Sequence, residues 1–216
     1  MKITIVSDTH GNHDQITGLS GDVLIHCGDM FNQFDMFGQE DELFEGLDAW
    51  FGRQDFDLVL FTGGNHDFEL EKRVQYVDQP FRNAVFLAGE AYRYRGVTFY
   101  GAPWIPELWG QAFFVDDLEL DRRWFEIPDD VDVLITHTPP AGILDQSSNG
   151  RSLGCPYLMA AIETCQPKLH CFGHVHASSG EAFVDGIHYI NAASVNSSYE
   201  LVRQPRQLDF ELDSIT

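Results

Sequence analysis

Seven residues of metal-ligating type lie along this chain, each closing an apolar run: Asp8 with His10, Asp29, Asn65, His137, and His174 with His176. Two more reactive side chains, His66 and Asp67, follow Asn65 directly. Carboxylate, amide and imidazole donors without a thiolate suit Mn2+, Fe, Zn2+ or Ni2+ better than a zinc-finger kind of site. Asp29 has two carboxylate oxygens and could bridge two cations, which a single imidazole could not. Asp8 and His10 are two apart, so in an extended segment both side chains would point the same way, as two arms on one ion. Asn65 offers a neutral carbonyl oxygen that can ligate but not act as a base. His66 can carry a proton, and Asp67 is placed to orient its ring and stabilise the charged form. Read singly, each motif is equally an ordinary turn with Asp or Asn as a helix cap.

The positioning elements are legible as apolar runs. Residues 3–6, 22–27, 58–61, 97–100, 132–136, 168–172 and 187–190 read as strands, with more strand around Leu201 and at 208–210. Gly63 and Gly64 let the chain turn sharply after the third run, where a side chain would obstruct it. Residues 40–51 carry Leu43, Phe44, Leu47, Trp50 and Phe51 on one helical stripe, and helices are also predicted from Phe68 and over 157–165. Strands alternating with helices indicate an α/β protein, in which sites form outside the carboxyl ends of the strands. Every ligand-type residue falls at such an end. With no repeat, linker or low-complexity stretch, residues 1–216 read as one domain. The loops at 30–37 and 104–114, rich in Phe and Trp, either pack as core or line a substrate pocket. His13, close to the first motif, is a candidate substrate contact. His26 and His170 lie in strands and read as packed, hydrogen-bonded residues.

The chain has 216 residues, 44% hydrophobic and 22% charged, which is ordinary for a globular protein. Its charge balance is not ordinary: 13 Lys+Arg against 34 Asp+Glu give a formal net charge of −21. Such a surface repels nucleic-acid backbones and anionic membranes, so neither a polymeric nucleic acid nor a membrane is an expected partner. A small phosphate ester remains compatible, because a metal cluster makes a positive spot on a negative protein. A strand opens the sequence with no signal peptide before it, and no apolar run approaches the ~20 residues of a membrane span. The four cysteines show no C-x-x-C spacing, and Cys27 and Cys171 read as buried reduced thiols. A cytoplasmic protein is expected.

Taken in order, Asp8-Thr9-His10, Gly28-Asp29, Gly64-Asn65-His66-Asp67, His137 and Gly173-His174-Val175-His176 resemble the calcineurin-like metallophosphoesterases. The pattern there is D-x-H, G-D, G-N-H-D/E, H and G-H-x-H, and the resemblance spans nearly the whole chain. Gly101-Ala102-Pro103-Trp104, Leu134-Ile135-Thr136-His137 with Pro139-Pro140, Gly154-Cys155, Lys168-Leu169-His170, Asp185-Gly186 and Tyr189-Ile190-Asn191-Ala192 place it nearest the MPPED-type phosphodiesterase branch. Thr138, where that branch often has Gly, and Ile143-Leu144 ahead of Asp145, in a loop expected to meet substrate, depart from it.

The resemblance implies a four-layer α-β-β-α sandwich of two mixed β-sheets flanked by helices. It implies two divalent transition-metal ions, Mn2+ or Fe first, with Zn2+, Ni2+ or Co2+ compatible. Asp8, His10, Asp29 and His176 would bind one ion; Asp29, Asn65, His137 and His174 would bind the other, with Asp29 bridging. Catalysis would fall to His66 and Asp67, acting beside a bridging hydroxide. The implied activity is a metal-dependent hydrolase of small phosphodiesters, cyclic nucleotides among them. The alternatives are a phosphomonoesterase or protein phosphatase, then a nuclease, then a non-catalytic scaffold of the same fold. A scaffold would be expected to lose ligands, and all seven are kept together with His66.

Overall fold

A computed structural model describes residues 1–32 and 38–212. The apolar runs become strands β1 (Lys2–Val6), β2 (Val23–His26) and β3 (Leu58–Phe61), followed by β4 (Val85–Phe86), β5 (Glu90–Tyr94) and β6 (Val97–Ala102). Then come β7 (Val133–Thr136), β8 (Leu169–Phe172), β9 (Gly180–Val184), β10 (Ile187–Asn191) and β11 (Arg206–Asp209). They form a five-stranded sheet, β11-β1-β2-β3-β4, and a six-stranded sheet, β5-β6-β7-β8-β10-β9. The inner pairings are parallel, whereas β11, β5 and β9 run antiparallel to their neighbours at the edges. Both sheets are therefore mixed.

The central strands are apolar almost throughout because both their faces are covered. The two-residue period then decides which side chain goes where. Ile3, Ile5, Val23, Ile25, Leu58 and Leu60 meet Val97, Phe99, Val133, Ile135, Leu169 and Ile190 between the sheets. The alternate residues Val6, Leu24, Val59 and Phe61 face outward against Phe44, Leu47, Trp50 and Phe51 of helix α1 (Glu40–Arg53). On the opposite outer face, Tyr100, Leu134, Phe172 and Tyr189 pack under α3 (Asp117–Trp124) and α4 (Pro156–Cys165). The short α2 (Phe68–Arg73) follows the Gly64–Asp67 turn and buries Leu70. The result is the expected four-layer α/β sandwich. No helix among the described residues is long and apolar enough to cross a membrane. All four cysteines are free and buried.

Parallel register brings the site loops to one edge. Val6 lies opposite His26, and His26 opposite Phe61, so β1, β2 and β3 end level. In the other sheet Ile135 lies opposite Cys171, which levels the ends of β7 and β8. A parallel bridge between Ser7 and Ala193 ties the two sheets together at this edge.

Packing settles one aromatic expectation. Phe31 is 2% exposed and stacks on Phe44, so it belongs to the core and lines no pocket. Phe34 and Phe37 lie outside the described residues. Trp104 is half-buried with the Arg123 guanidinium 3.7 Å above its ring, whereas Trp109 is exposed. The fold thus rests heavily on the layer between the sheets. Phe99→Ala, which empties a fully buried site there, is expected to cost about 3–5 kcal/mol of unfolding free energy in a urea titration. Phe125→Ala, at a ring that is 90% exposed, is expected to change it by less than about 0.5 kcal/mol.

Candidate metal centre

Two buried carboxylates, Asp8 and Asp29, stand at the level edge with imidazoles around them. Asp29 Oδ2 faces the Nε2 atoms of His137 at 3.4 Å, His10 at 3.6 Å and His66 at 4.0 Å. Asp8 Oδ1 lies 3.1 Å from His176 Nε2. Two groups have ligand atoms all within 4.8 Å of one another: Asp8, His10 and His176, and Asp8, Asp29 and His137. Asn65 Oδ1 sits 3.1 Å from His137 Nε2, on the side of the second group. His174 joins neither group; its ring stands 5.1 Å from that of His137, and its backbone N–H donates to the Asp8 carboxylate at 3.1 Å.

The ring tautomers suit metal binding. His137 Nδ1 donates to the Cys27 carbonyl at 2.8 Å, and His176 Nδ1 to the Asn196 carbonyl at 3.1 Å. Each bond turns Nε2 toward the carboxylates and makes it the lone-pair atom once the ring is neutral, the usual second contact of a ligating histidine. Both ring nitrogens of His10 are buried without a hydrogen-bond partner among the described residues. Buried polar atoms are normally satisfied, so this set fits divalent cations.

Protonation follows the same logic. Burial would raise the Asp8 carboxyl, but the hydrogen bond from His176 and the charge of His137 hold it well below the usual range. Asp29 is likewise held low by His137 against the effect of burial. Burial would lower His137, yet Asp29 pushes it up to about 9. His174, with burial dominant, falls to about 4.

The backbone differs from expectation. Asp8 (φ 53°) and His10 (φ 42°) are left-handed, so they are not the two arms of an extended segment. Asp29 (φ 53°) and His174 (φ 65°) share this conformation, which is uncommon for residues with a Cβ. Two glycines make the close approach possible. A Cβ on Gly64 would lie 2.3 Å from Asp29 Oδ1, and one on Gly173 2.1 Å from Asp8 Oδ2.

Asp67 makes no hydrogen bond to the His66 ring. It is fully buried, and its Oδ1 accepts from Met30 N (2.9 Å) and Phe31 N (3.1 Å). Its Oδ2 accepts from Asp29 N and Gly64 N, both at 2.9 Å. Asp67 therefore stitches the Asp29 loop to the Gly64 turn. Burial and the nearby Asp29 charge push its carboxyl up to about 7. His66 is held instead by its backbone, whose N–H donates to Asp29 Oδ1 at 2.8 Å, and its side chain is 17% exposed at the lip.

Other expectations sort by contact. His13 is buried and packs on Trp50 with ring centroids 5.5 Å apart. His26 Nε2 pairs with the Thr9 hydroxyl and His170 Nε2 with that of Thr136, both inside the protein. Ile143 and Leu144 pack against the α3/α4 layer, while a cavity of about 260 Å3 beside His174 is lined by Arg151, Ser152, Leu153 and Tyr157. Asn196, which orients His176, and Tyr199, whose ring lies 4.6 Å from that of His10, were not legible. Their only sequence signal is a Val195-Asn196-Ser197-Ser198 turn with no ligand motif beside it.

The family model described as calcineurin-like phosphoesterase matches residues 1–178. The chain is 31% identical to metallophosphoesterase domain-containing protein 1 of Homo sapiens, over 96% of this chain and 70% of that protein. It is 34% identical to a UPF0046 protein of Caenorhabditis elegans, over 95% of this chain and 73% of the relative. Among solved structures, a phosphopantetheinyl hydrolase from Mycobacterium tuberculosis aligns with a TM-score of 0.60 at 15% identity, covering 96% and 95% of the two chains. That likeness is one of fold.

The close approach at Gly64 generates a test. Gly64→Ala is expected to push Asp29 and His137 apart and abolish high-affinity Mn2+ binding, read by calorimetry on the purified chain. Gly46→Ala, in α1 with nothing within 4 Å, is expected to leave binding intact and to stabilise the fold by up to about 1 kcal/mol.

Proposed function

The chain belongs to the calcineurin-like phosphoesterase family, and on that premise we propose that it hydrolyses small phosphodiesters at a dinuclear metal centre. The coarser statement, a metal-dependent phosphoesterase, follows from the family together with the buried donor set. The observation that supports a dinuclear centre is Asp29 Oδ2, a single buried oxygen facing His137 Nε2 at 3.4 Å and His10 Nε2 at 3.6 Å, one nitrogen from each proposed ligand set. That is the placement a bridging carboxylate needs.

In this reading Asp8, His10, Asp29 and His176 would hold one ion, and Asp29, Asn65, His137 and His174 would hold the other. Mn2+ or Fe suits these donors best. Divalent ions bound there would polarise the phosphoryl group and bring the pKa of water from ~15.7 to about 7. The remaining work belongs to the protein. His66, with its side chain 17% exposed at the lip, protonates the departing alkoxide or stabilises its charge. Asp67 acts indirectly, fixing the loops that place Asp29 and His66.

A diester is favoured over a monoester on charge. The whole chain has 13 basic residues, and Arg151, the cation of the cavity beside His174, is already 3.4 Å from Glu107. Little positive charge is left to neutralise the second negative charge of a monoester. The cavity offers room for a second ester substituent.

The test is kcat/KM for bis- and mono-p-nitrophenyl phosphate with the same Mn2+ loading. Faster diester turnover is expected; a tenfold monoester preference, about 1.4 kcal/mol in the barrier, would overturn the diester reading and leave the metal centre standing. His66→Ala is expected to keep its metal while kcat falls about 10²–10⁴-fold on alkyl esters, and less on p-nitrophenyl esters. Equal loss of activity and metal would remove His66 from the chemistry.

A further inference from the structure

Tyr199 is an exposed aromatic ring set against the metal-ligating histidines, and no motif or match assigns it a role. It lies beyond residues 1–178, the stretch matched by the family model. Its ring meets His10 edge-on at 4.6 Å, His176 at 5.8 Å and His66 at 5.9 Å between centroids. It is 40% exposed, so part of the ring faces the open side of the site.

The chain holds this ring in an unfavourable backbone conformation. Tyr199 has φ 62°, the left-handed region that a bulky residue seldom occupies. Strain of this kind costs about 1–3 kcal/mol and persists where the surroundings enforce it. Here Tyr199 N donates to Asn196 O at 3.0 Å, and Ser198 N and Glu200 N donate to Asn196 Oδ1 at 2.9 and 3.1 Å. Asn12 Nδ2 reaches across from the first metal loop to Tyr199 O at 3.3 Å. The same Asn196 accepts from His176 Nδ1 through its carbonyl, so one turn both orients a ligand and presents the ring. The tyrosine hydroxyl has no hydrogen-bond partner among the described residues.

We propose that Tyr199 is a specificity residue: its ring packs against an aromatic or heteroaromatic substituent of the phosphate ester, at the His10–His66 flank of the site. The inference rests on the phosphoesterase reading and adds the substrate class to it. Phe31 is buried in the core and Trp104 lies beneath Arg123, so neither offers a free face there. Tyr199 does, within reach of the lip where His66 meets the leaving group.

The test uses two non-hydrolysable probes, phenylphosphonate and methylphosphonate, bound to the Mn2+-loaded full chain by calorimetry. The wild type is expected to prefer the phenyl probe. Tyr199→Asn, which places a residue tolerant of positive φ at the same position, should weaken phenylphosphonate about three- to tenfold and leave methylphosphonate within about twofold. Tyr199→Phe should retain the wild-type ratio. A merely structural ring would move both probes and the bound Mn2+ together, so an unchanged ratio in Tyr199→Asn overturns the proposal. A wild type that turns over esters but shows no phenyl preference overturns it as well. A metal-loaded wild type that binds neither phosphonate and cleaves no ester instead overturns the phosphoesterase reading, and this inference with it.

Discussion

Two carboxylates buried side by side set the terms for everything at this edge of the protein. Asp8 and Asp29 are 0% and 2% exposed, and an uncompensated buried charge costs several kcal/mol. Part of the compensation is fixed in the backbone, where His174 N–H and His66 N–H donate to Asp8 and Asp29. The rest comes from imidazoles, and His137 with its raised affinity for a proton shows how strongly the pocket calls for positive charge. A proton on that ring is a partial substitute for a cation. Among the described residues both buried ring nitrogens of His10 lack a hydrogen bond, and Nε2 stands 3.6 Å from Asp29 Oδ2.

Convergence on that scale requires the loops to leave the strands in unusual conformations. Four ligand-type residues are left-handed, and glycines 64 and 173 lie where any Cβ would strike a carboxylate. Such backbone is stable because it is held from behind. The parallel strands end level, the Ser7–Ala193 bridge locks the sheets together, and Asp67 gathers four N–H groups from two loops onto one side chain. Rigidity in the layers is what permits distortion at the rim.

This division explains what could be read without coordinates. The central strands were legible because burial on both faces leaves uninterrupted apolar runs, and the ligand motifs were legible because each closes such a run. The edge strands β5 and β9 alternate exposed residues such as Glu90 and Glu181 with partly buried ones, and α3 opens with Asp117, Glu119 and Asp121. None of these presents a continuous apolar signal. Adjacency to His66 suggests a ring contact for Asp67, whereas three of its four partners are backbone amides reached across 36–38 residues of sequence and the fourth is Gly64 N. The extended reading of Asp8 and His10 failed for a related reason, since tertiary contacts and not local preference set their φ values. The place of Tyr199 beside His10 was not legible because it depends on where the chain returns after β10.

That return has a bearing on how the protein is made. Asp8 N–H pairing partners lie close by, but the carboxylate of Asp8 meets His174 and His176 across 166 and 168 residues. At a synthesis rate of roughly 5–20 residues per second, Asp8 emerges from a ribosome about 10–30 s before those histidines do. Through that interval Asp8 is without the two histidines it meets in the folded chain. Metal captured then would meet only a fraction of its final ligands and would exchange freely. A cation that needs both carboxylates and those histidines would find its full donor set only once β8 and β10 have closed the second sheet.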